Sequence, residues 1–264
     1  MIYEKQIGVP KFECREYSAK LKDYVVLIPI INEGDRIHEE LCRAKNHNIS
    51  SYADIVICDG GSTDGCTDEK KLLKQNVNTL LIKQDEGKQG AQLRMGMWWA
   101  LKRGYKGIIT IDGNNKDSIE DVPRFIEKLR DGYDLIQGSR FIKGGTAINT
   151  PLFRLISVRF IHAPIISLTA RQRFTDTTNA FRGYSSRYLK DKRVQPFRDI
   201  FMTYELLAYL SVRATQIGLR ACEIPVTRAY PKKGKTPTKI SLFKGNFELI
   251  KILIKNAIGI YNPK

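Results

Sequence analysis

The stretch IITIDGNNKD, residues 108–117, decides the fold of this chain. Its first four residues, from Ile108 to Ile111, have the length and the β-branched character of a buried strand. Polar residues begin abruptly at Asp112 and are followed at once by Gly113. A carboxylate at the tip of a buried strand predicts a strand that ends at a binding site.

Three similar strand-to-loop junctions precede this one. They read VVLIPIINEGD (25–35), DIVICDGGSTDG (54–65) and DEGKQGAQLRMG (85–96). Their apolar runs are apolar on both faces, which is typical of a parallel sheet covered by helices. The predicted strands are residues 25–31, 55–58, 80–82, 108–111 and 135–137.

Apolar residues recur at helical spacing between these strands, which predicts helices around residues 37–44 and 93–101. Ser118 or Asp121 is expected to cap a third helix that carries Pro123 in its first turn. Strands that alternate with helices predict an α/β fold, with a mostly parallel sheet and helices on both faces. In such a fold the polar strand tips meet at one edge of the sheet.

The charge of the chain limits its partners. Forty-four Lys and Arg residues against 28 Asp and Glu residues give a net charge of +16. This excess predicts attraction to nucleic acid, to an anionic membrane surface or to phosphorylated small molecules. Five cysteines without a CxxC pair indicate reduced thiols rather than a disulfide framework or a zinc site.

Two later stretches are strongly apolar. Residues 152–170 and 249–260 are both interrupted by basic residues, and we expect neither to span a membrane. Residues 138–151 predict a mobile cover, and residues 230–241 a flexible basic loop. Residues 247–261 predict an amphipathic helix that lies at a membrane interface or packs on the core of the protein.

Taken in order, the motifs resemble those of a family 2 glycosyltransferase, and specifically its dolichol-phosphate mannose synthase-like branch. The matching segments are IPIINE, DGGSTDG, GKQGAQLRMG, TIDGNN, QGSRFIKGG, DTTNAFRGYS and CEIPVT. The resemblance runs from Tyr24 to about Leu253 and implies a Rossmann-like GT-A fold. It implies a single domain over residues 1–264, with a nucleotide-sugar-binding half at about 22–145. The basic acceptor-side half, with its terminal amphipathic helix, covers about 146–264.

The resemblance also implies which residues contact the substrate. Glu33 is expected to contact the ribose or the base, Asp59 is expected to accept a hydrogen bond from the base, and Lys88 and Arg94 to line the donor pocket. The full implied set of substrate-binding residues is Pro29, Asn32, Glu33, Asp59, Gly61, Lys88, Arg94, Asn114 and Lys116.

The implied metal site departs from the family pattern. Asp112 and Asn114 stand where the family places two Asp ligands for Mg²⁺ or Mn²⁺, and Lys116 replaces a Gln. The family's second Asp after strand two is likewise replaced by Gly60. Three interpretations stay open: Asp112 and the diphosphate hold an ion weakly, Lys116 itself neutralises the leaving phosphate, or residues 114–116 form an ordinary polar turn.

The expected catalytic residues are Asp112, Asp176, Arg140 and Arg182. Arg140 and Arg182, together with Lys143 and the lysines of residues 232–239, are candidates to stabilise the charge on the departing diphosphate. Asp176 is the candidate general base for a sugar hydroxyl. A lipid phosphate needs no base, and Asp176 would then orient Arg182 or line the acceptor pocket.

The chief hypothesis is an inverting glycosyltransferase that moves a hexose from a nucleoside diphosphate sugar to a polyprenyl phosphate. It is expected in the cytoplasm, with peripheral attachment to the inner face of the membrane and no nucleic-acid partner. One alternative is transfer to a saccharide hydroxyl in surface polysaccharide synthesis. Another is a basic nucleotide- or nucleic-acid-binding protein without turnover. A nucleotidyltransferase is disfavoured because IPIINEGDRI is acidic where a basic, glycine-rich signature is expected.

Overall fold

A computed structural model describes residues 1–232 and 244–263. The strands are β1 (Ile2–Tyr3), β2 (Phe12–Glu16), β3 (Tyr24–Ile30), β4 (Asp54–Asp59), β5 (Val77–Lys83), β6 (Gly107–Thr110), β7 (Leu135–Ser139), β8 (Thr146–Ile148), β9 (Arg182–Ser185), β10 (Ala221–Pro225) and β11 (Thr227–Ala229). The α-helices are α1 (Asp35–Asn46), α2 (Glu69–Lys74), α3 (Gln89–Lys102), α4 (Val122–Arg130), α5 (Leu152–Ser157), α6 (Ala163–Ala170), α7 (Ser186–Lys190), α8 (Glu205–Gln216) and α9 (Lys244–Ala257). A π-helical turn, Val158–His162, joins α5 to α6.

Within the described residues, nine strands form one sheet in the order β1-β2-β5-β4-β3-β6-β9-β7-β10. Strands β5, β4, β3 and β6 are parallel, and β9 runs antiparallel between β6 and β7. All five predicted strands are present, so the expectation of an α/β fold with a mostly parallel sheet is confirmed. Because β9 and β10 belong to the second half of the chain, both halves contribute to the sheet.

Helices cover both faces of the sheet because successive strand residues point to opposite sides. Val25 and Leu27 of β3 belong to the core cluster that includes α3 and α8. Val26 and Ile28 belong to the second cluster, with α1 and α4. These β3 residues have no measurable exposure, which explains why the strand is apolar on both faces.

The start of α4 differs from the expectation. Neither Ser118 nor Asp121 caps the helix with its side chain. Instead, Ser118 Oγ donates a hydrogen bond to Asp121 Oδ2 at 2.5 Å, because a 3-10 turn (Ile119–Asp121) precedes the helix. Pro123 lies in the first turn, as expected.

The segment expected to be a mobile cover contains a strand. β8 pairs in parallel with β11, so residues 146–148 are joined to residues 227–229. The basic loop expected at residues 230–241 lies outside the described residues from residue 233 onward.

The expectation that neither apolar stretch spans a membrane stays a prediction. In the part of the chain that the structure describes, one helix, Leu152–Ala170, is long and apolar enough to cross a membrane by length and composition. Only 22% of this apolar segment is buried. Arg154 and Arg159 interrupt the sequence, but the mean hydropathy of the helix remains high despite these two charges.

The terminal amphipathic helix is present as α9 and packs on α6 and α8. Its Ile252 and Leu253 are buried, while Phe247 and Ile254 are exposed. One face of α9 therefore packs on the core of the protein, and the other face is exposed.

Candidate active site

The loops after β3 and β4 meet at the carboxyl edge of the sheet and are joined by hydrogen bonds. The backbone amide of Asn32 donates to Ser62 Oγ at 2.9 Å, and the backbone amide of Thr63 donates to Asn32 Oδ1 at 2.8 Å. Asn32 adopts a φ of 49°, a left-handed conformation that Asn tolerates well. The sequence placed these loops at one edge, and the structure brings them into contact.

Asp59, at the end of β4, holds its own loop in place. Its carboxylate accepts from the amides of Gly61 and Ser62 at 3.0 Å and from the Ser62 hydroxyl at 2.5 Å. The side chain is buried. A contact between Asp59 and a base stays a prediction, and the contact that the structure shows is with the loop.

Gln92 of α3 was missed by sequence reasoning. Its buried amide nitrogen donates to the Ile30 carbonyl at 2.6 Å and to the Cys58 carbonyl at 2.8 Å. Gln92 thereby connects the ends of β3 and β4. A glutamine inside a helix gives no sequence signal for such a contact, because its partners lie on β3 and β4, which are far from Gln92 in the sequence.

Three other predicted donor contacts lie in different surroundings. The Glu33 carboxylate is nearly buried and forms an ion pair with Arg36 at 2.8 Å. Pro29 is buried within β3. The Lys88 side chain is exposed just before α3, and its amide nitrogen donates to the Met202 carbonyl at 2.8 Å.

Asp112 follows β6, and three residues donate to its carboxylate. Gln89 Nε2 lies 2.8 Å from Oδ1, while Arg228 Nη2 lies 3.2 Å and Asn114 Nδ2 3.4 Å from Oδ2. Burial would raise the pKa of Asp112, but the charges of Arg228 and Lys116 and the donated hydrogen bonds outweigh it. The pKa of this carboxyl group therefore lies below its usual value, and Asp112 is an anion.

Arg228, at the centre of β11, is the principal residue that the sequence did not reveal. It contacts Asp117 through Nη1 and Asp112 through Nη2, and it is almost fully buried. The Ser118 backbone amide donates to the Thr227 carbonyl, and the Thr227 amide donates to Ser118 Oγ. These bonds join two segments that lie more than a hundred residues apart in the chain. Two carboxylates raise the pKa of Arg228 well above its usual value, against the opposing effect of its burial.

Three cations, Lys116, Arg154 and Arg228, lie beside the buried ring of Tyr230, and the charge of Arg140 also acts on it. We call these four residues the basic cluster. Lys116 Nζ lies 5.1 Å from the ring centroid, and Arg154 Nη1 lies 3.1 Å from the hydroxyl oxygen. Burial would raise the pKa of Tyr230, but the four cations outweigh it and lower the pKa. Burial and Arg228 lower the pKa of Lys116 to about 8.

Glu40 and the close packing of Gly113 support the loop that carries Asp112. Glu40 of α1, fully buried, accepts from the Asn115 amide at 2.8 Å, and burial raises the pKa of Glu40 well above its usual value. A Cβ at Gly113 would lie 2.5 Å from Ile30 Cγ2, so the loop can pack this closely only with glycine there. Sequence reasoning did not assign Glu40 to the site.

Arg140 and Asp176 form a buried ion pair, as Asp176 Oδ2 lies 2.6 Å from Arg140 Nε and Oδ1 lies 2.8 Å from Nη2. The Glu223 carboxylate accepts from the amides of Thr175 and Asp176, which holds this loop against β10. The expectation that Asp176 orients Arg182 was wrong, because its partner is Arg140. Asp176 has no measurable exposure, which does not suit a general base.

Two further expectations need correction. Arg182 is buried and donates to the carbonyls of Thr177, Asn179 and Leu207 and to Ser211 Oγ, so it fixes the interior instead of a diphosphate. Arg94 is also buried, and its guanidinium group contacts Gly8, Asp199, Phe201 and Met202. It therefore joins the N-terminal segment to the 199–202 loop and does not line the donor pocket. Both arginines lie within matched motifs, but a motif does not specify where a side chain points.

The residues at Asp112 are a poor set of ligands for a divalent ion. Across residues 1–232 and 244–263, no three His, Cys, Asp or Glu side chains are grouped so that they could hold a metal ion. Asn114 Oδ1 is buried without a hydrogen-bond partner among the described residues and can serve as a neutral ligand. The single carboxylate beside it, Asp112, already pairs with Arg228. Without a further anion, these residues do not fit a dication.

A cleft of about 240 Å³ opens beside this loop. It is lined by Arg36, Glu39, Asn114, Asn115, Lys116, Ala229, Tyr230 and Pro231. A larger cleft of about 390 Å³ lies near the amino ends of the strands and includes Lys20, Tyr24 and Arg130. Ligands of parallel sheets bind at the carboxyl ends, and the buried charges lie there too, so we assign the site to the smaller cleft.

This architecture is that of a GT-A glycosyltransferase. The structure is similar to glucosyl-3-phosphoglycerate synthase from Mycobacterium tuberculosis in complex with Mn²⁺, UDP and glucosyl-3-phosphoglycerate. The TM-score is 0.57 at 13% identity, over 90% of this chain and 79% of that chain. The model of glycosyl transferase family 2 matches residues 25–192. The chain belongs to this family, and it is a glycosyltransferase.

Two relatives indicate the branch. The chain is 27% identical to the polyprenol monophosphomannose synthase of Mycolicibacterium smegmatis, over 77% of this chain and 76% of the relative. It is 28% identical to the undecaprenyl-phosphate mannosyltransferase of Micrococcus luteus, over 77% of this chain and 82% of the relative. The resemblance that the motifs indicated is therefore confirmed.

Proposed function

We propose that the protein transfers a hexose from a nucleoside diphosphate sugar to a polyprenyl phosphate, with inversion at the anomeric carbon. The names of the two relatives, a polyprenol monophosphomannose synthase and an undecaprenyl-phosphate mannosyltransferase, support a lipid phosphate as the acceptor. The site itself supports the same acceptor through its charges. The sugar and the base of the donor are for the experiment to identify.

The observation that carries the proposal is the pairing of Asp176 with Arg140. A sugar hydroxyl would need a general base to take its proton, and Asp176 was the candidate for this role. Its carboxylate is fully buried and engaged by Arg140 through two hydrogen bonds. A phosphate acceptor is already ionised and needs no base. Arg140 Nη1, which has no hydrogen-bond partner among the described residues, is left to donate to such an acceptor.

In the proposed reaction a phosphate oxygen of the lipid attacks the anomeric carbon from the face opposite the diphosphate. The new carbon–oxygen bond forms as the bond to the diphosphate breaks, and the nucleoside diphosphate leaves with the bonding electrons. Negative charge grows on the leaving group, and cations already in place stabilise it without reorganising. Arg228 and Lys116 lie beside Asp112 for this task, while Arg140 and Arg154 are left to the acceptor.

The donor contacts remain part of the proposal. We expect Asn32, Glu33 and Lys88 to contact the nucleoside, and the Asp59 loop, with Gly61, to form the floor of its site. A divalent ion, when it is bound, would use Asp112 and Asn114 Oδ1 and would add Lewis-acid charge at the diphosphate. The Mn²⁺ and UDP of the M. tuberculosis synthase are consistent with such a role. The one sheet built from both halves of the chain supports a single catalytic domain.

The outward faces of two neighbouring helices support a peripheral location at a membrane. Phe160 and Leu168, in the helix of residues 152–170, are 74% and 80% exposed, and Phe247 and Ile258 near the C-terminus are 67% and 68% exposed. Exposed apolar residues beside basic ones suit the interface of an anionic bilayer. Co-sedimentation with anionic liposomes at low salt tests this location. Phe160→Glu with Leu168→Glu should abolish it, whereas Leu21→Glu, exposed in the segment before β3, should not.

The decisive experiment incubates the protein with a panel of nucleotide sugars and either a polyprenyl phosphate or free saccharides. Formation of a lipid-linked sugar phosphate of inverted anomeric configuration is the expected result. Asp112→Ala should abolish it, and Asp191→Asn, a change at an exposed ion pair, should not. Transfer to the saccharides alone would overturn the proposed acceptor. Nucleotide binding without any transfer would favour an inactive relative.

A further inference from the structure

Lys116 occupies an unusual position for a lysine. It is almost fully buried and lies four residues after Asp112 in the same loop. Its ammonium group lies above the Tyr230 ring, and its backbone carbonyl accepts from the Ala229 amide at 2.8 Å. The loop and β11 therefore hold its charge at the bottom of the cleft.

The charges around Lys116 are balanced before any ligand binds. Asp112 and Asp117 contribute two carboxylates, and Arg228 and Lys116 contribute two cations, with Arg228 joined to both acids. A dication added to this set would lie beside two positive groups, and the carboxylate nearest to Asn114, Asp112, already pairs with Arg228. A diphosphate would instead meet two preorganised cations.

We propose that Lys116, together with Arg228, supplies at the diphosphate the positive charge that a divalent ion would otherwise supply, so that the nucleotide binds without a metal ion. The inference rests on the proposed function, because it concerns the same diphosphate. It reverses the usual dependence of nucleotide binding on a bound metal ion. The nucleotide does not need the ion, and the ion has no adequate protein site without the nucleotide.

The test measures the binding of UDP and GDP by isothermal titration calorimetry, with excess EDTA and with saturating MnCl₂. The wild-type affinity for the better ligand should differ by less than about threefold between the two conditions. Lys116→Met removes a charge-assisted contact and should weaken binding in EDTA by about 10- to 100-fold. Lys116→Arg should retain most of the affinity, and the exposed Lys190→Met should retain all of it.

A gain-of-site variant provides the second arm. Asn114→Asp with Lys116→Gln gives the loop two carboxylates and an amide, and removes the ammonium group. This variant should bind Mn²⁺ alone, measured from the loss of the free-ion electron paramagnetic resonance signal, and should bind the nucleotide only with Mn²⁺. The wild type should leave the signal of free Mn²⁺ unchanged.

The opposite results would overturn the inference. These are wild-type binding that is lost in EDTA, Mn²⁺ binding by the wild type without nucleotide, or an Lys116→Met variant that is folded and binds as tightly as the wild type. Circular dichroism melting establishes folding for each variant. Sugar transfer that persists with Mn²⁺ but stops in EDTA would overturn only the role of Lys116. The absence of both nucleotide binding and transfer under all conditions would overturn the proposed function as well.

Discussion

Replacing Asp176 by Asn tests whether this carboxylate holds Arg140 or performs chemistry. The change keeps the shape of the side chain and removes its charge, which leaves the guanidinium group buried without a counter-ion. Two unit charges about 4 Å apart attract by about 4 kcal/mol at an effective dielectric constant near 20. Breaking one side of a buried pair costs about 3–5 kcal/mol in measured cases, which agrees with this figure.

We therefore expect Asp176→Asn to lower the free energy of unfolding by about 4 kcal/mol. For a domain of this size, this corresponds to a fall of roughly 8–16 °C in Tm. Urea unfolding followed by circular dichroism measures the free energy, and calorimetry measures Tm. Asp191→Asn is the matched control, because its partner Arg193 is exposed, and it should leave Tm unchanged.

Transfer kinetics separate the two roles of Asp176. If the carboxylate holds Arg140, Asp176→Asn should raise the KM for the lipid phosphate and leave the shape of the pH profile unchanged. The double variant Arg140→Met with Asp176→Asn should be more stable than the single variant Asp176→Asn, because it has no unpaired buried charge. A fully stable Asp176→Asn variant that has lost kcat and one limb of its pH profile would refute this reasoning.

Three further predictions concern the supports of the site. Gly113→Ala should destabilise the protein by about 1–3 kcal/mol in urea unfolding, because the new Cβ would meet Ile30; an unchanged midpoint would contradict this packing. Arg182→Lys should lower the free energy of unfolding by about 1–3 kcal/mol, because hydrogen bonds to backbone carbonyls are lost, but it should leave the KM values unchanged. A raised KM for the donor would instead indicate that Arg182 contacts the diphosphate. The raised pKa of Glu40 means that its folded form keeps a proton which the unfolded chain loses above about pH 4.5, so its contribution to stability falls as pH rises. Glu40→Gln should therefore gain stability over the wild type by up to about 1.4 kcal/mol per pH unit above that point, and a pH-independent difference would contradict the shift.

The sequence was sufficient to predict five of the nine described strands of the sheet, because these strands are apolar and end in polar residues. The position of Asp112 followed from the same pattern. Short-range features such as Pro123 in the first turn of α4 were also predictable, since they depend on the local backbone alone. The missed cap at Ser118 shows the limit of this approach, because a 3-10 turn changed which groups were in reach.

Contacts between distant segments were not predictable. Arg228 lies 116 residues after Asp112 in the chain, and only the pairing of β11 with the loop after β6 brings them together. Arg140 and Arg182 both belong to matched motifs, yet Arg140 is part of the basic cluster and Arg182 is enclosed by backbone carbonyls. Residue type and spacing give the charge of a side chain, but its role depends on what the fold places beside it.

The buried acids of this site act largely as supports for cations. Moving an arginine out of water is costly, and the cost is offset only when a carboxylate accompanies it. Asp176 does this for Arg140, and Asp117 does it for Arg228. Each pair fixes a guanidinium group in place before a substrate arrives, which is the preorganisation that stabilises growing negative charge. Asp117 and Asp176 therefore act through the arginines they hold, and in the proposed reaction a site that looks acidic in sequence offers cations to its substrates.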